Sequence, residues 1–199
     1  MEFLTDFADQ AVVLPLVLAV AVTLALQGWR RGALVWFGAV AGTFGAVLVL
    51  KIVFMACAPL LGVWDIYSPS GHTAAAAVVL GGLTSLVSSR ASIVFPIALM
   101  GAAAIGLSRV VLGAHSWPEV LLGGMVGMIG ALAMLILAGP PPPLRFGRLA
   151  VVAALVVAFF HGLHLPAEMA IRNRALQAGL MLPFCQPSSY RQSANQTLP

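Results

Sequence analysis

Residues 33–55 read ALVWFGAVAGTFGAVLVLKIVFM, an apolar run interrupted by one charged side chain, Lys51. A helix of this length crosses the roughly 30 Å hydrocarbon core of a bilayer. Lys51 is the only lysine in the chain, and an ammonium group is costly in such a run unless it reaches the interface or a partner. The stretch therefore predicts a membrane-spanning helix that carries a functional cation near one end.

The rest of the chain shares this composition. Hydrophobic residues make up 61% of its 199 residues, charged residues make up 8%, and the mean hydropathy is +1.02. These values lie outside the range of soluble proteins and predict an all-α, polytopic transmembrane helix bundle. We expect about six spans, or five if a terminal segment lies in the interface, and a catalytic part built from five helices. The apolar runs are residues 11–27, 33–55, 71–88, 91–113, 118–138 and 149–165.

Four consecutive prolines, Pro140–Pro143, divide the chain. Such a run favours a stiff polyproline link, so the last apolar run is predicted to be an appendage to the bundle. A helical stretch is expected around Glu168–Leu182. The predicted parts are a membrane helix bundle over 1–139, the link and last span over 140–165, and a polar outward-facing tail over 166–199.

Arginines mark every second connection between the predicted spans. The positive-inside rule places those connections in the cytoplasm, so the N-terminus and the connections 56–69 and 113–117 face outward. This arrangement predicts an integral protein of a bacterial inner membrane, with its polar site on the periplasmic or external side. The basic residues are Arg30, Arg31, Arg90, Arg145 and Arg148.

Three polar residues fall at one membrane level, because Lys51, His72 and Arg109 all lie near the outward ends of their predicted helices. A site that acts on lipid head groups requires polar groups at this level. Lys51 and Arg109 are candidates to bind a phosphate and the charge that develops on it. The alternative is that each long side chain carries its charge to the interface without a further role.

The sequence Pro69-Ser70-Gly71-His72 is a candidate anion site. Ser68 is predicted to cap a helix whose first position is Pro69. The backbone amides of the next three residues would then be free at the positive end of the helix, which favours an anion. The alternative is an ordinary helix start with a capping serine.

His115 and Glu119 lie four residues apart. A carboxylate at this spacing can fix the tautomer of a histidine and stabilise its imidazolium. Ser116 and Glu119 also form the pattern of a capping box that opens the next helix. Both readings are compatible, since one carboxylate can serve the cap and the histidine.

Three blocks together resemble the type 2 phosphatidic acid phosphatase (PAP2) superfamily, whose pattern is Lys-x6-Arg-Pro, Pro-Ser-Gly-His and Ser-Arg-x5-His-x3-Asp. The first block here reads Lys51-x6-Ala58-Pro59, and the second is intact at residues 69–72. The third reads Ser108-Arg109-x5-His115-x3-Glu119. The resemblance covers residues 51–119.

The resemblance implies a membrane lipid phosphatase that needs no metal and no cofactor. His115 would be the nucleophile that forms a phosphohistidine, His72 the general acid, and Glu119 the carboxylate that orients His115. The expected partners are the membrane and a lipid phosphate, with no nucleic acid. The substrate would be a phosphomonoester or diphosphate of the phosphatidic acid, phosphatidylglycerophosphate, undecaprenyl diphosphate or lipid A type. The implied phosphate-binding residues are Lys51, Ser70, Gly71 and Arg109.

Two positions depart from the family pattern. Ala58 stands where the family has an arginine, which predicts weaker phosphate binding. Glu119 stands where the family has an aspartate, which adds one methylene to the arm that holds His115. The missing arginine keeps two other classes open: a non-catalytic relative that binds lipid phosphate, and a lipid transporter or scaffold.

The two cysteines and two further histidines allow additional hypotheses. Cys57 and Cys185 are both predicted on the outward side, where a disulfide would draw the tail over the site, although two free thiols are the favoured reading. With a disulfide, Arg172 or Arg174 could replace the charge missing at Ala58. His161 and His164 are expected at the interface, with a metal site as the lesser alternative.

Glycine pairs four residues apart, Gly38 with Gly42 and Gly123 with Gly127, allow close helix packing. The packing could lie within the bundle or join two copies in a homodimer.

Overall fold

The computed structural model describes residues 1–58, 66–143, 145–165, 167–181 and 185. These residues form eight α-helices and no strand, which confirms the predicted all-α class. Pro59 of the first motif block lies outside the described residues, as does most of the predicted polar tail. The helices are α1 (Glu2–Asp6), α2 (Gln10–Leu26), α3 (Arg30–Ala56), α4 (Gly71–Ser85), α5 (Ala91–Val111), α6 (Trp117–Ala138), α7 (Phe146–Phe160) and α8 (Ala167–Met181).

Four helical stretches in the described part are long and apolar enough to span a membrane: Phe3–Leu26, Arg30–Ala56, Ala91–Val111 and Trp117–Ala138. The other two predicted spans form α4 and α7, of 15 residues each. A helix of 15 residues rises about 22 Å, which is less than the hydrocarbon core. The chain is therefore an integral membrane protein in which four of the six predicted spans reach full length.

Helix α4 is the centre of the bundle and packs against α3, α5 and α6. Small side chains make this possible: a Cβ atom added at Gly123 would collide with the Ser70 carbonyl, and one at Gly127 with Ala74. This glycine pair therefore serves packing within the bundle. Cβ atoms at Gly38 and Gly42 would meet nothing within 4 Å.

Helix α1, the end of α5 and the segment after α7 meet at one end of the bundle, which we call the site end. Thr5 in α1 and Ser108 in α5 share a hydrogen bond of 2.9 Å between their hydroxyls. His164 lies 2.9 Å from the Asp6 carboxylate, and the His161 ring contacts the ring of Phe3. These contacts place the N-terminus and the segment after α7 beside the end of α5, as the predicted alternation of connections requires.

The tail helix α8 packs along α3 and is joined to it covalently. Cys57, directly after α3, forms a disulfide with Cys185. The favoured expectation of two free thiols is therefore wrong, because the packing of α8 along α3 brings both cysteines to the same end of that helix. The tail is consequently tied across the site end of the bundle.

Candidate active site

The start of α6 holds His115 in place. Ser116 is the N-cap of this helix, and Glu119 accepts a hydrogen bond of 3.0 Å from the Ser116 amide, which completes a capping box. The same carboxylate oxygen lies 2.8 Å from His115 Nδ1. Glu119 thus serves both the cap and the histidine, so the two readings of the sequence hold together.

The second oxygen of Glu119 anchors the loop before α4. It accepts hydrogen bonds from the backbone amides of Tyr67, at 2.9 Å, and Ser68. With Ser116 and His115, this makes four donors on one buried carboxylate. A carboxylate held by several donors stays ionised, so the proton of the shared hydrogen bond belongs on His115 Nδ1, and Nε2 keeps its lone pair.

Burial lowers the pKa of His115 below its ordinary value. The nearby Glu119 carboxylate raises this pKa, but Lys51 and Arg109 lower it further. The imidazole is therefore neutral near pH 7, which is the form that can act as a nucleophile.

The start of α4 corrects one prediction. The N-cap is Ser70 and the helix begins at Gly71, whereas the sequence favoured Ser68 as the cap with Pro69 as the first position. The reason is a tertiary contact: the Ser70 amide donates to the Glu119 carbonyl at 3.0 Å, which prevents the helix from starting earlier. Ser70 Oγ accepts hydrogen bonds from Thr73 and is fully buried.

His72 lies in the first turn of α4 and faces a second carboxylate. Its Nε2 atom is 3.6 Å from Asp9 Oδ2. Asp9 is buried, caps α2, and accepts a 2.8 Å hydrogen bond from the Ala11 amide. Sequence reasoning missed this partner, because an aspartate before a helix signals a cap and carries no information about a histidine on another helix.

Lys51 is buried, with 3% of the residue exposed. Its ammonium donates to Ser68 Oγ at 2.8 Å and to both carboxylate oxygens of Glu168 at 2.7 Å. Burial raises the pKa of the Glu168 carboxyl, but the Lys51 ammonium and the Ser68 hydroxyl together lower this pKa by more, so the carboxylate is ionised. Glu168 belongs to α8 and had no distinguishing signal in the sequence.

Two cavities flank Glu168, which lines both. The larger, called the His115 cavity, has a volume of about 620 Å³. Arg109 lines it, and its buried Nε atom has no hydrogen-bond partner within the described structure. The smaller, called the His72 cavity, has a volume of about 340 Å³ and also contains Lys51 and Gly71.

The predicted site residues thus fall into two groups separated by one carboxylate. Arg109, His115 and Glu119 share the His115 cavity, together with Ala58 and Arg172. Lys51, Gly71 and His72 share the His72 cavity, and Ser70 lies buried behind both groups without lining either. An anion beside Lys51 would have to take the place of the Glu168 carboxylate.

The histidines after α7 contribute to neither cavity. His161 Nε2 donates a hydrogen bond to the Phe3 carbonyl and His164 pairs with Asp6, so both fasten α1 to the segment after α7. Among the residues that the structure describes, no group of three or more His, Cys, Asp or Glu side chains is arranged to hold a metal ion.

Comparison with known proteins tests the resemblance to the PAP2 superfamily. Residues 62–140 match the family model of the PAP2 superfamily, and this segment holds the second and third motif blocks. The resemblance drawn from the motifs is confirmed over this segment, which matches the PAP2 superfamily, whose members are generally phosphatases.

A relative extends the similarity beyond this segment. The chain is 28% identical over 206 residues to an uncharacterized 22.5 kDa protein in the cps region of Klebsiella pneumoniae, covering 96% of this chain and 98% of the relative. No solved structure matches the chain.

Proposed function

We propose that the protein is a membrane phosphatase that removes phosphate from a lipid phosphate or diphosphate through a phosphohistidine. The observation that carries the proposal is the His115–Glu119 pair, which faces a cavity that is also lined by Arg109, whose buried Nε atom has no hydrogen-bond partner within the described structure. A neutral, oriented imidazole supplies the nucleophile, and the guanidinium of Arg109 supplies the charge that a phosphoryl group requires.

The proposed reaction has two steps. His115 Nε2 attacks phosphorus, the P–O bond to the lipid breaks, and protonated His72 gives its proton to the departing lipid oxygen. Water then attacks the phosphohistidine, with neutral His72 accepting one of its protons, and the bond to Nε2 breaks to release inorganic phosphate. Arg109 and Lys51 neutralise the phosphoryl oxygens in both steps, and the Ser70 hydroxyl and the amide of Gly71 are further candidate donors.

The ion pair between Lys51 and Glu168 supports a phosphate at this lysine. The Glu168 carboxylate binds Lys51 through both oxygens, in the manner of an anion that shares two oxygens with the ammonium. A phosphoryl group that reached Lys51 would displace this carboxylate, and the two cavities would then join around the phosphate. Because 59% of the Glu168 side chain is exposed, its displacement requires little repacking.

The His72 cavity favours a lipid as the substrate. Its polar residues lie at one side, and apolar side chains of α2 and α3 line the other, among them Leu14, Phe44 and Leu48. Leu14 and Leu48 are exposed on the surface of the bundle, where the hydrocarbon of a membrane would contact them. A phosphate at Lys51 could therefore remain attached to a chain that lies in the bilayer, as in phosphatidic acid, phosphatidylglycerophosphate, undecaprenyl diphosphate or lipid A.

The test is phosphate release by the purified protein in detergent, measured in chelator with a panel of these lipid phosphates. His115→Ala should reduce release to background while the protein keeps its melting temperature, because the nucleophile is lost. Arg148→Gln, at the far end of the bundle, serves as the matched control and should release phosphate at the wild-type rate. Undiminished release from His115→Ala would reject the phosphohistidine.

A non-catalytic relative that binds lipid phosphate is the second candidate, and Ala58 in the first motif block is the observation that favours it. Wild-type protein that bound a lipid phosphate and released no phosphate from any substrate would support this candidate. A lipid transporter has less support, since the charged residues of both cavities lie at the site end of the bundle.

A further inference from the structure

We propose that Arg172, on the tail helix α8, is a phosphate-binding residue of the His115 cavity. This inference rests on the proposed function, because it assumes that the cavity receives a phosphoryl group. It adds a ligand from outside the segment that matches the PAP2 superfamily.

The charges that line the His115 cavity leave two cations for a ligand. Glu119 is engaged by His115, and Glu168 is engaged by Lys51. Arg109 and Arg172 line the same cavity, and neither forms an ion pair with the residues that the structure describes. Two guanidinium groups on one cavity, neither in ion-pair contact with a carboxylate of the described residues, suit a phosphate dianion, which offers oxygens to both.

The position of Arg172 is determined by the attachment of α8. Glu168 lies four residues earlier, and residues at this spacing share one face of a helix. Because Glu168 is bonded to Lys51 and Ser68, the face that carries Arg172 is turned toward the site. The Cys57–Cys185 disulfide ties the chain after α8 to the end of α3. Helix α8 is therefore held at its start by Glu168 and beyond its end by the disulfide.

Position 58 explains why a cation from α8 is useful. Ala58 lines the His115 cavity and carries no charge, so the end of α3 contributes no cation there. Arg174, the other arginine of α8, does not line the cavity. Of the two tail arginines considered from the sequence, the structure therefore favours Arg172 and provides Arg174 as an internal control.

The test compares Arg172→Gln with Arg174→Gln in the full-length protein, using phosphate release and binding of orthovanadate as a phosphate probe. Arg172→Gln should raise KM and the vanadate Kd about tenfold, the loss expected for one charge-assisted contact, with kcat within about twofold. Arg174→Gln should leave all three values within about twofold. Arg172→Lys should recover part of the affinity, because it restores the charge without the planar fork.

Moving the charge provides an independent check. Ala58→Arg in the Arg172→Gln protein should restore affinity, since the new guanidinium would face the same cavity. Equal affinities in Arg172→Gln and Arg174→Gln would overturn the inference, and so would a loss of kcat at unchanged KM and Kd.

The inference and the proposed function fail in different ways. If the wild-type protein bound vanadate but released no phosphate, and Arg172→Gln bound vanadate more weakly, the inference would stand and hydrolysis would be rejected. Wild-type protein that neither bound vanadate nor released phosphate would overturn both.

Discussion

His115 and His72 each face a carboxylate, but the two pairs form in different ways. His115 and Glu119 lie four residues apart and are 2.8 Å from each other. His72 and Asp9 belong to helices at different places in the chain, and their nearest atoms are 3.6 Å apart. The first pair is built by one helix start, whereas the second exists only when α2 and α4 are packed.

The difference in geometry suits the proposed roles. A nucleophile benefits from one fixed tautomer, and Glu119, with four donors on its oxygens, cannot easily move away from His115. A general acid that later acts as a base must be stable in both protonation states. The longer contact leaves His72 less tightly held by Asp9 than His115 is by Glu119.

The largest expected effect on kcat tests the pair formed by His115 and Glu119. Glu119→Gln should lower kcat for phosphate release by about 10²-fold to 10⁴-fold, because the amide no longer stabilises the charge or fixes the tautomer of His115. Glu119→Asp keeps the carboxylate and should lose less. Steady-state kinetics would measure both kcat values, and melting temperatures would verify that the variants fold. A kcat within about threefold of wild type for Glu119→Gln would contradict the orienting role.

We expect an intermediate effect on kcat when the pair formed by His72 and Asp9 is broken. Asp9→Asn should lower kcat about tenfold, equivalent to about 1.4 kcal/mol, with little change in KM. Asparagine also caps helices well, so α2 should keep its start. The matched control is Asp6→Asn, which removes a carboxylate paired with His164 at the same end of the bundle and should leave kcat unchanged. Equal losses in the two variants would mean that the Asp9 effect is structural.

The smallest expected effect is a change in the pH dependence of kcat/KM. The neutral form of His115 is the nucleophile, and burial lowers its pKa below 6.5, so kcat/KM should remain high through pH 6.5 and fall only as the pH drops through the lowered pKa. Since Glu119 raises this pKa, Glu119→Gln should move the acid limb to lower pH, whereas Asp9→Asn should not move it. Profiles of kcat/KM from about pH 4.5 to 8 would show this. An acid limb above 6.5 would assign the limb to another group.

The sequence by itself determined the membrane environment, the helical class and the local parts of the site. Apolar runs longer than the bilayer core specify spans because unpaired backbone groups cannot remain in hydrocarbon. The His115–Glu119 contact was predictable for a local reason, since the capping box at the start of α6 turns the Glu119 side chain back toward the residues that precede the helix. The second and third motif blocks also lie within the segment that matches the PAP2 superfamily, residues 62–140.

Only the tertiary structure decided which distant groups meet. The N-cap of α4 is Ser70 and not the predicted Ser68, because the Ser70 amide donates a hydrogen bond to the Glu119 carbonyl. The partners of Asp9 and Glu168 could not be predicted from the sequence. The disulfide between Cys57 and Cys185 likewise depends on α8 lying along α3. These contacts join positions far apart in the chain, where no periodicity or spacing rule applies. The packing of helices, rather than local propensity, determines them.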